Sequence, residues 1–229
     1  MSLFAIGDLH LALGAPEKNM SVFGGKWTDY EEKLRGGFER VGADDTTVIC
    51  GDLSWAMDLE GALPDFRFLD ELPGKKLLLK GNHDYWWNTA KKIGEFFVAN
   101  GLTSLSLLHN NCAFYEDVAL CGTRGWFYEE ESGKEHDEKI LRRELGRLET
   151  SLKAAGEREK IVFLHYPPVF RTFSCPPILD LLEKYGVKEC LYGHLHGKGC
   201  AAAFTGERNG TNFRLISADS LEFIPFKLR

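Results

Sequence analysis

The sequence has no Cys-x-x-Cys pair, no surplus of positive charge and no apolar run of membrane length, and each absence removes a class of protein. Six cysteines (Cys50, Cys112, Cys121, Cys175, Cys190 and Cys200) stand singly, which argues against a structural zinc site. The first apolar run, residues 2–6, is too short for a signal-peptide core or a membrane span. The expectation is therefore a cytoplasmic chain, off the membrane, with reduced thiols. With 28 Lys and Arg against 34 Asp and Glu, the net charge is −6, so there is no basic footprint for duplex binding and no strong nucleic-acid signal.

What is present is the composition of a globular protein, 44% hydrophobic and 27% charged, without repeats or a low-complexity linker. At 229 residues the chain is expected to form a single domain, 1–229, around one sizeable core. Apolar runs of strand length alternate with helix-period segments, the α/β pattern. Five strand candidates, residues 2–6, 46–50, 76–79, 160–164 and 188–192, each run directly into a cluster of Asp, His, Asn or Gly. Strand C-termini are where open α/β sheets place their sites.

Helices are expected between them. Residues 28–41 open on a capping box of Thr28 and Glu31. Asn88 is the expected cap of a helix through Ala99, and Asp137 of one through Ala155. A shorter helix, 176–185, has proline at its start and Gly186 after its end. Strands are expected at 104–108, 113–115 and 118–121, and a final hairpin from 212–217 and 221–228. Residues 122–137 read as a long loop near the site.

Five of the seven histidines, His10, His83, His165, His194 and His196, fall in the strand-end clusters. A lone histidine in such a place is usually a satisfied, part-buried residue, but the joint pattern is not. Two divalent cations roughly 3.5 to 4 Å apart repel, and need anionic oxygen ligands with neutral imidazoles completing the shells. Asp8, Asp52, the amide oxygen of Asn82 and four of these imidazoles form such an inventory.

The ordered series Asp8-x-His10, Gly51-Asp52, Gly81-Asn82-His83-Asp84, His165 and Gly193-His194-x-His196 resembles the calcineurin-like metallophosphoesterases. That resemblance implies a four-layer α/β/β/α sandwich, two packed mixed β-sheets flanked by helices, with the metal site at strand C-terminal ends. It implies one ion on Asp8, His10 and His196, a second on Asn82, His165 and His194, and Asp52 bridging them. His83 would not ligate; it would contact the phosphate and help protonate the leaving oxygen. The implied reaction is hydrolysis of a small phosphomonoester or phosphodiester by a metal-bridging hydroxide, with a nucleotide-like substrate as one option. Ligands of oxygen and imidazole without thiolate suit manganese, iron or zinc and do not choose among them; the expectation is manganese or iron, with zinc admitted. A nuclease of the same fold and a catalytically inactive metal-binding scaffold stay open as alternatives.

One departure bears on substrate. The protein Ser/Thr phosphatase branch continues its second motif Gly-Asp-x-x-Asp-Arg, with the later Asp orienting the histidine and the Arg binding phosphate. Here Trp55 and Ala56 stand at those positions, which weakens the protein-phosphatase alternative. Arg124, or Arg171, is the candidate replacement contact to phosphate, and Asp84 or Asp58 the candidate orienter of His83. Trp86, Trp87, Trp126, Phe127 and Tyr128 are candidates to wall a pocket that stacks a base or sugar.

Overall fold

In this computed structural model, which describes residues 1–126 and 134–229, the apolar runs become the central strands of two sheets. The first sheet has the order β13-β1-β2-β3-β4, with β1 Leu3–Ile6, β2 Thr46–Cys50, β3 Lys75–Leu79, β4 Leu105–Leu107 and β13 Phe226–Lys227. The second has the order β11-β12-β10-β7-β6-β5, with β5 Cys112–Tyr115, β6 Val118–Thr123, β7 Glu159–Leu164, β10 Glu189–Tyr192, β11 Gly206–Arg208 and β12 Thr211–Leu215. Within each sheet the inner pairings are parallel, and β13, β11 and β5 close edges in antiparallel. A small ribbon joins β8 Val169–Phe170 to β9 Phe173–Ser174.

Side chains alternate across a strand, so a run apolar at every position can bury both faces. In β1, Leu3 and Ala5 join Val48, Leu77, Leu120, Ile161 and Phe163 in a core between the two sheets. Phe4 and Ile6 point the other way, onto helices α1 Tyr30–Phe38, α2 Leu63–Glu71 and α3 Ala90–Ala99. Val162, Leu164 and Tyr192 of the second sheet pack on α4 Lys134–Ala154 and α5 Pro176–Lys184. Two mixed sheets with helices on both outer faces make the expected α/β/β/α sandwich. Each fully buried Leu or Phe in these layers contributes about 1.5–3 kcal/mol.

Several local expectations give way to tertiary contacts. The capping box at Thr28 does not form: Thr28 closes a 3-10 turn over Gly25–Trp27, Asp29 is left-handed (φ 50°), and Glu31 accepts from Asn19 Nδ2 (2.8 Å). Thr89, not Asn88, caps α3, accepting from the Lys92 amide. Asp137 lies inside α4 rather than at its start, buried and accepting from Trp126 Nε1 (3.1 Å). The expected loop 122–137 is correspondingly shorter, since β6 runs to Thr123 and α4 begins at Lys134. The C-terminal hairpin is absent: β12 lies parallel to β10, while β13 crosses to the other sheet and pairs with β1. Helix α2 was not anticipated. No helix among the described residues is long and apolar enough to cross a membrane.

Candidate metal centre

Strands β1, β2, β3, β7 and β10 end at one rim, and the chain breaks there into tight turns. Asp8 (φ 58°), His10 (48°), Asp52 (49°) and His194 (72°) all adopt left-handed backbone conformations. L side chains rarely adopt that region, and clusters of such residues mark sites where geometry outweighs local comfort. Glycines let the turns close on one another. A Cβ on Gly81 would lie 2.1 Å from the amide nitrogen and Oδ1 of Asp52, one on Gly193 2.3 Å from Asp8 Oδ2, and one on Gly51 2.6 Å from His165 Nδ1. The Gly-Asp, Gly-Asn and Gly-His pairs are thus packing requirements as well as signatures.

Two donor clusters result. Asp8, His10 and His196 each offer an atom within 4.8 Å of the others, as do Asp52, His165 and His194. Asn82 Oδ1 lies 2.7 Å from His165 Nε2 and 3.0 Å from His194 Nδ1, which adds it to the second cluster. Asp52 Oδ2 is 3.5 Å from His165 Nε2 and 3.8 Å from His10 Nε2, so it stands between the two. All seven residues of the sequence-derived set converge. His83 is beside them but in neither cluster; its amide donates to Asp52 Oδ1 (2.8 Å) and its ring lies 5.8 Å from that of His10.

The donor set fits cations. His10 Nε2 and His196 Nε2 approach to 3.0 Å with two buried carboxylates alongside, while His10 Nδ1 is buried without a partner. Burial pushes Asp52 up, with the charge of Asp8 adding to it, whereas for Asp8 burial is outweighed by His196 and its pKa falls. Burial lowers His10, His165 and His194, the last to about 3. His196 goes the other way, to about 10, because Asp8 and Asp219 overcome its burial. Imidazoles kept neutral at His10, His165 and His194, and a fourth at His196 held charged by its carboxylates where no cation stands, are the chemistry of a site for positive ions.

Two supporting residues were not read from the sequence. Asp219 faces His196 Nδ1 at 3.3 Å and accepts from the Gly197 amide (2.7 Å), turning Nε2 toward Asp8. Trp55 stacks on His10 (centroids 4.9 Å, 22° between planes) and packs against His83 (4.5 Å). Asp84 does not orient His83: its carboxylate accepts from the amides of Asp52, Leu53, Ser54 and Gly81 and from Trp86 Nε1, tying the two turns together. Asp58 does not either; it accepts from the Gly61 amide.

The proposed aromatic wall also changes. Trp86 and Trp126 are buried packing residues, and Trp87 packs on Trp86 and His109. Phe127 and Tyr128 lie outside the described residues. The guanidinium of Arg124 stacks over Trp126 (4.9 Å) and pairs with Glu144 (3.9 Å), and Arg171 is exposed in the turn between β8 and β9.

Comparison with known proteins agrees with this geometry. The family model of calcineurin-like phosphoesterases matches residues 1–198. The chain belongs to that family. No curated protein sequence matches it. Among solved structures, it is similar to a protein of unknown function from Aquifex aeolicus, with 14% identity and a TM-score of 0.53 over 99% of this chain and 95% of that one. It is also similar to a protein of Thermus thermophilus, with 16% identity and a TM-score of 0.55 over 85% of this chain and 81% of that one. At such identities the likeness is one of fold. The calcineurin-like phosphoesterase assignment therefore rests on the family match, with the two donor clusters beside it.

Proposed function

We propose that this calcineurin-like phosphoesterase hydrolyses a small phosphomonoester or phosphodiester with two divalent cations, manganese or iron being the favoured pair. The observation that supports this reading is Asp52, whose Oδ2 lies within 3.8 Å of ring nitrogens in both donor clusters and would be shared between them. Asp8, His10 and His196 would hold one cation, and Asn82, His165 and His194 the other. Bound there, the cations would supply Lewis acidity toward phosphoryl oxygens and lower the pKa of water.

The chain's own groups do the rest. Burial brings His83 down to about 4, followed by the influence of His165 and His196, so near neutrality it presents an uncharged imidazole. In this reading its N–H would donate to a phosphoryl or leaving oxygen, a contribution on the order of 10² to 10⁴ in rate. With Trp55 and Ala56 in place of the Asp-Arg pair, the site lacks the phosphate-clamping arginine of the protein-phosphatase branch, which favours a small ester over a phosphoprotein. The test is turnover of bis-p-nitrophenyl phosphate and p-nitrophenyl phosphate by protein loaded with Mn²⁺, Fe²⁺, Zn²⁺ or Co²⁺, with metal content measured in Asp52→Ala. No cleavage with any metal, together with undiminished metal content in Asp52→Ala, rejects the reading.

A further inference from the structure

A cavity of about 210 Å³ lies between the ends of β3 and β6 and the flank of α4. Lys80, Arg124, Arg143 and Arg147 line it with one carboxylate, Glu144, a net charge of +3 in a chain whose total is −6. Glu144 is almost fully buried and already engaged: Arg147 donates to it at 2.6 Å and Thr123 Oγ1 at 2.6 Å, with Arg124 at 3.9 Å. One carboxylate cannot neutralise four cations. Arg124 Nε is buried without a hydrogen-bond partner, and Lys80, half-buried, has no ion-pair partner among the described residues. Four cations gathered in one cavity around a single, already engaged carboxylate favour occupation by an anion.

The cavity shares its frame with the metal centre. Lys80 immediately precedes Gly81-Asn82-His83, and the Arg124 carbonyl accepts from the amides of His165 (3.1 Å) and Tyr166 (2.9 Å). The Tyr166 ring lies between them, 4.6 Å from His194 on one side and 5.9 Å from the Arg124 guanidinium on the other. We infer that this cavity is an anion subsite for a second phosphoryl group, so that the substrate is an ester carrying two phosphates, or a diphosphate, rather than a single one. Its volume of about 210 Å³ leaves room for a phosphoryl group. Its role in substrate choice rests on the phosphoesterase reading; the anion site itself does not.

Calorimetric titration of inorganic pyrophosphate into metal-free protein at low salt tests it, because the subsite then acts without the metal centre. The wild-type protein is expected to bind, Lys80→Ala to bind about tenfold more weakly, the scale of a lost charge-assisted hydrogen bond, and Arg208→Ala, on the distant β11, to bind as wild type. Absence of binding by the wild-type protein, or wild-type affinity in Lys80→Ala, overturns the inference. Arg143→Ala, which truncates an exposed side chain, carries the same expectations should Lys80→Ala misfold. Hydrolysis of bis-p-nitrophenyl phosphate by the Mn²⁺-loaded wild type, run on the same preparation, reports separately on the phosphoesterase reading.

Discussion

The Trp55 indole lies 4.5 Å from the His83 imidazole, in the position where the protein-phosphatase pattern would have a carboxylate. His83 Nδ1 and Trp55 Nε1 are both buried without hydrogen-bond partners, so the ring of His83 is held by aromatic packing between Trp55 and Tyr85 rather than by an ionic tether. Removing the indole frees His83 and uncovers the stacked face of His10. Trp55→Ala is expected to lower kcat on bis-p-nitrophenyl phosphate about tenfold with a smaller change in KM, the scale of a mispositioned acid-base group. Trp55→Phe should recover most of the loss, because it keeps an aromatic face; equal losses in both variants would show that packing against His83 is not the relevant property.

Asp219 predicts a metal-specific defect. Its carboxylate fixes the ring of His196 through Nδ1, and partners of this kind typically govern 10- to 100-fold in metal affinity. On the proposed two-cation reading, Asp219→Ala should lose one cation, that of Asp8, His10 and His196, while retaining the other. Metal analysis after dialysis against graded chelator reads this as about half the wild-type stoichiometry; equal loss of both ions would contradict the assignment of His196 to a single cluster.

Two pairs of glycines have opposite expected signs. A Cβ at Gly81 or Gly193 would meet Asp52 or Asp8 at 2.1 or 2.3 Å, so Gly81→Ala and Gly193→Ala should lower Tm and metal retention together. Gly94 in α3 and Gly146 in α4 have nothing within 4 Å of an added Cβ, and alanine there should stabilise by about 0.5–1 kcal/mol. Thermal melts of the four variants decide it.

This contrast shows what was legible in the sequence. Four of the five central strands and their ligand-bearing turns could be read because an apolar run ending in Gly-Asp, Gly-Asn or Gly-His states its own burial, its own chain reversal and its own chemistry within a few residues; the fifth, β7, runs straight into His165. Helix starts were misread where a distant partner took the capping group, as Trp126 does with Asp137 and Asn19 with Glu31. The C-terminal hairpin failed for a related reason: β12 and β13 look like neighbours in sequence, but each finds its partner in a different sheet. Trp55 and Asp219 act through residues far along the chain, so no local pattern marks them; Asp84 stands in a motif, but its ties to the amides of Asp52, Leu53 and Ser54 do not show in it.

Lys76 supplies the last prediction, remote from the metal centre. Its side chain is buried in β3, and Nζ donates to the carbonyls of Leu72 (2.6 Å) and Gly74 (2.8 Å). Burial lowers its pKa to about 8 from an ordinary 10.5. Between those values the unfolded chain holds a proton that the folded protein has released, so unfolding takes up a proton and this residue's contribution to stability rises with pH. Below about pH 8 both states are charged and the desolvation cost is borne in full; above 10.5 both are neutral and it is gone. Other groups titrate in the same range, burial having raised the thiols of Cys121 and Cys190, so the measurement must be a difference. Urea unfolding of wild type and Lys76→Met at about pH 7.5 and about pH 10 should show the wild type gaining on the variant at the higher pH, by about 1–3 kcal/mol. A difference that is flat with pH would mean that the two carbonyls keep the ammonium charged throughout.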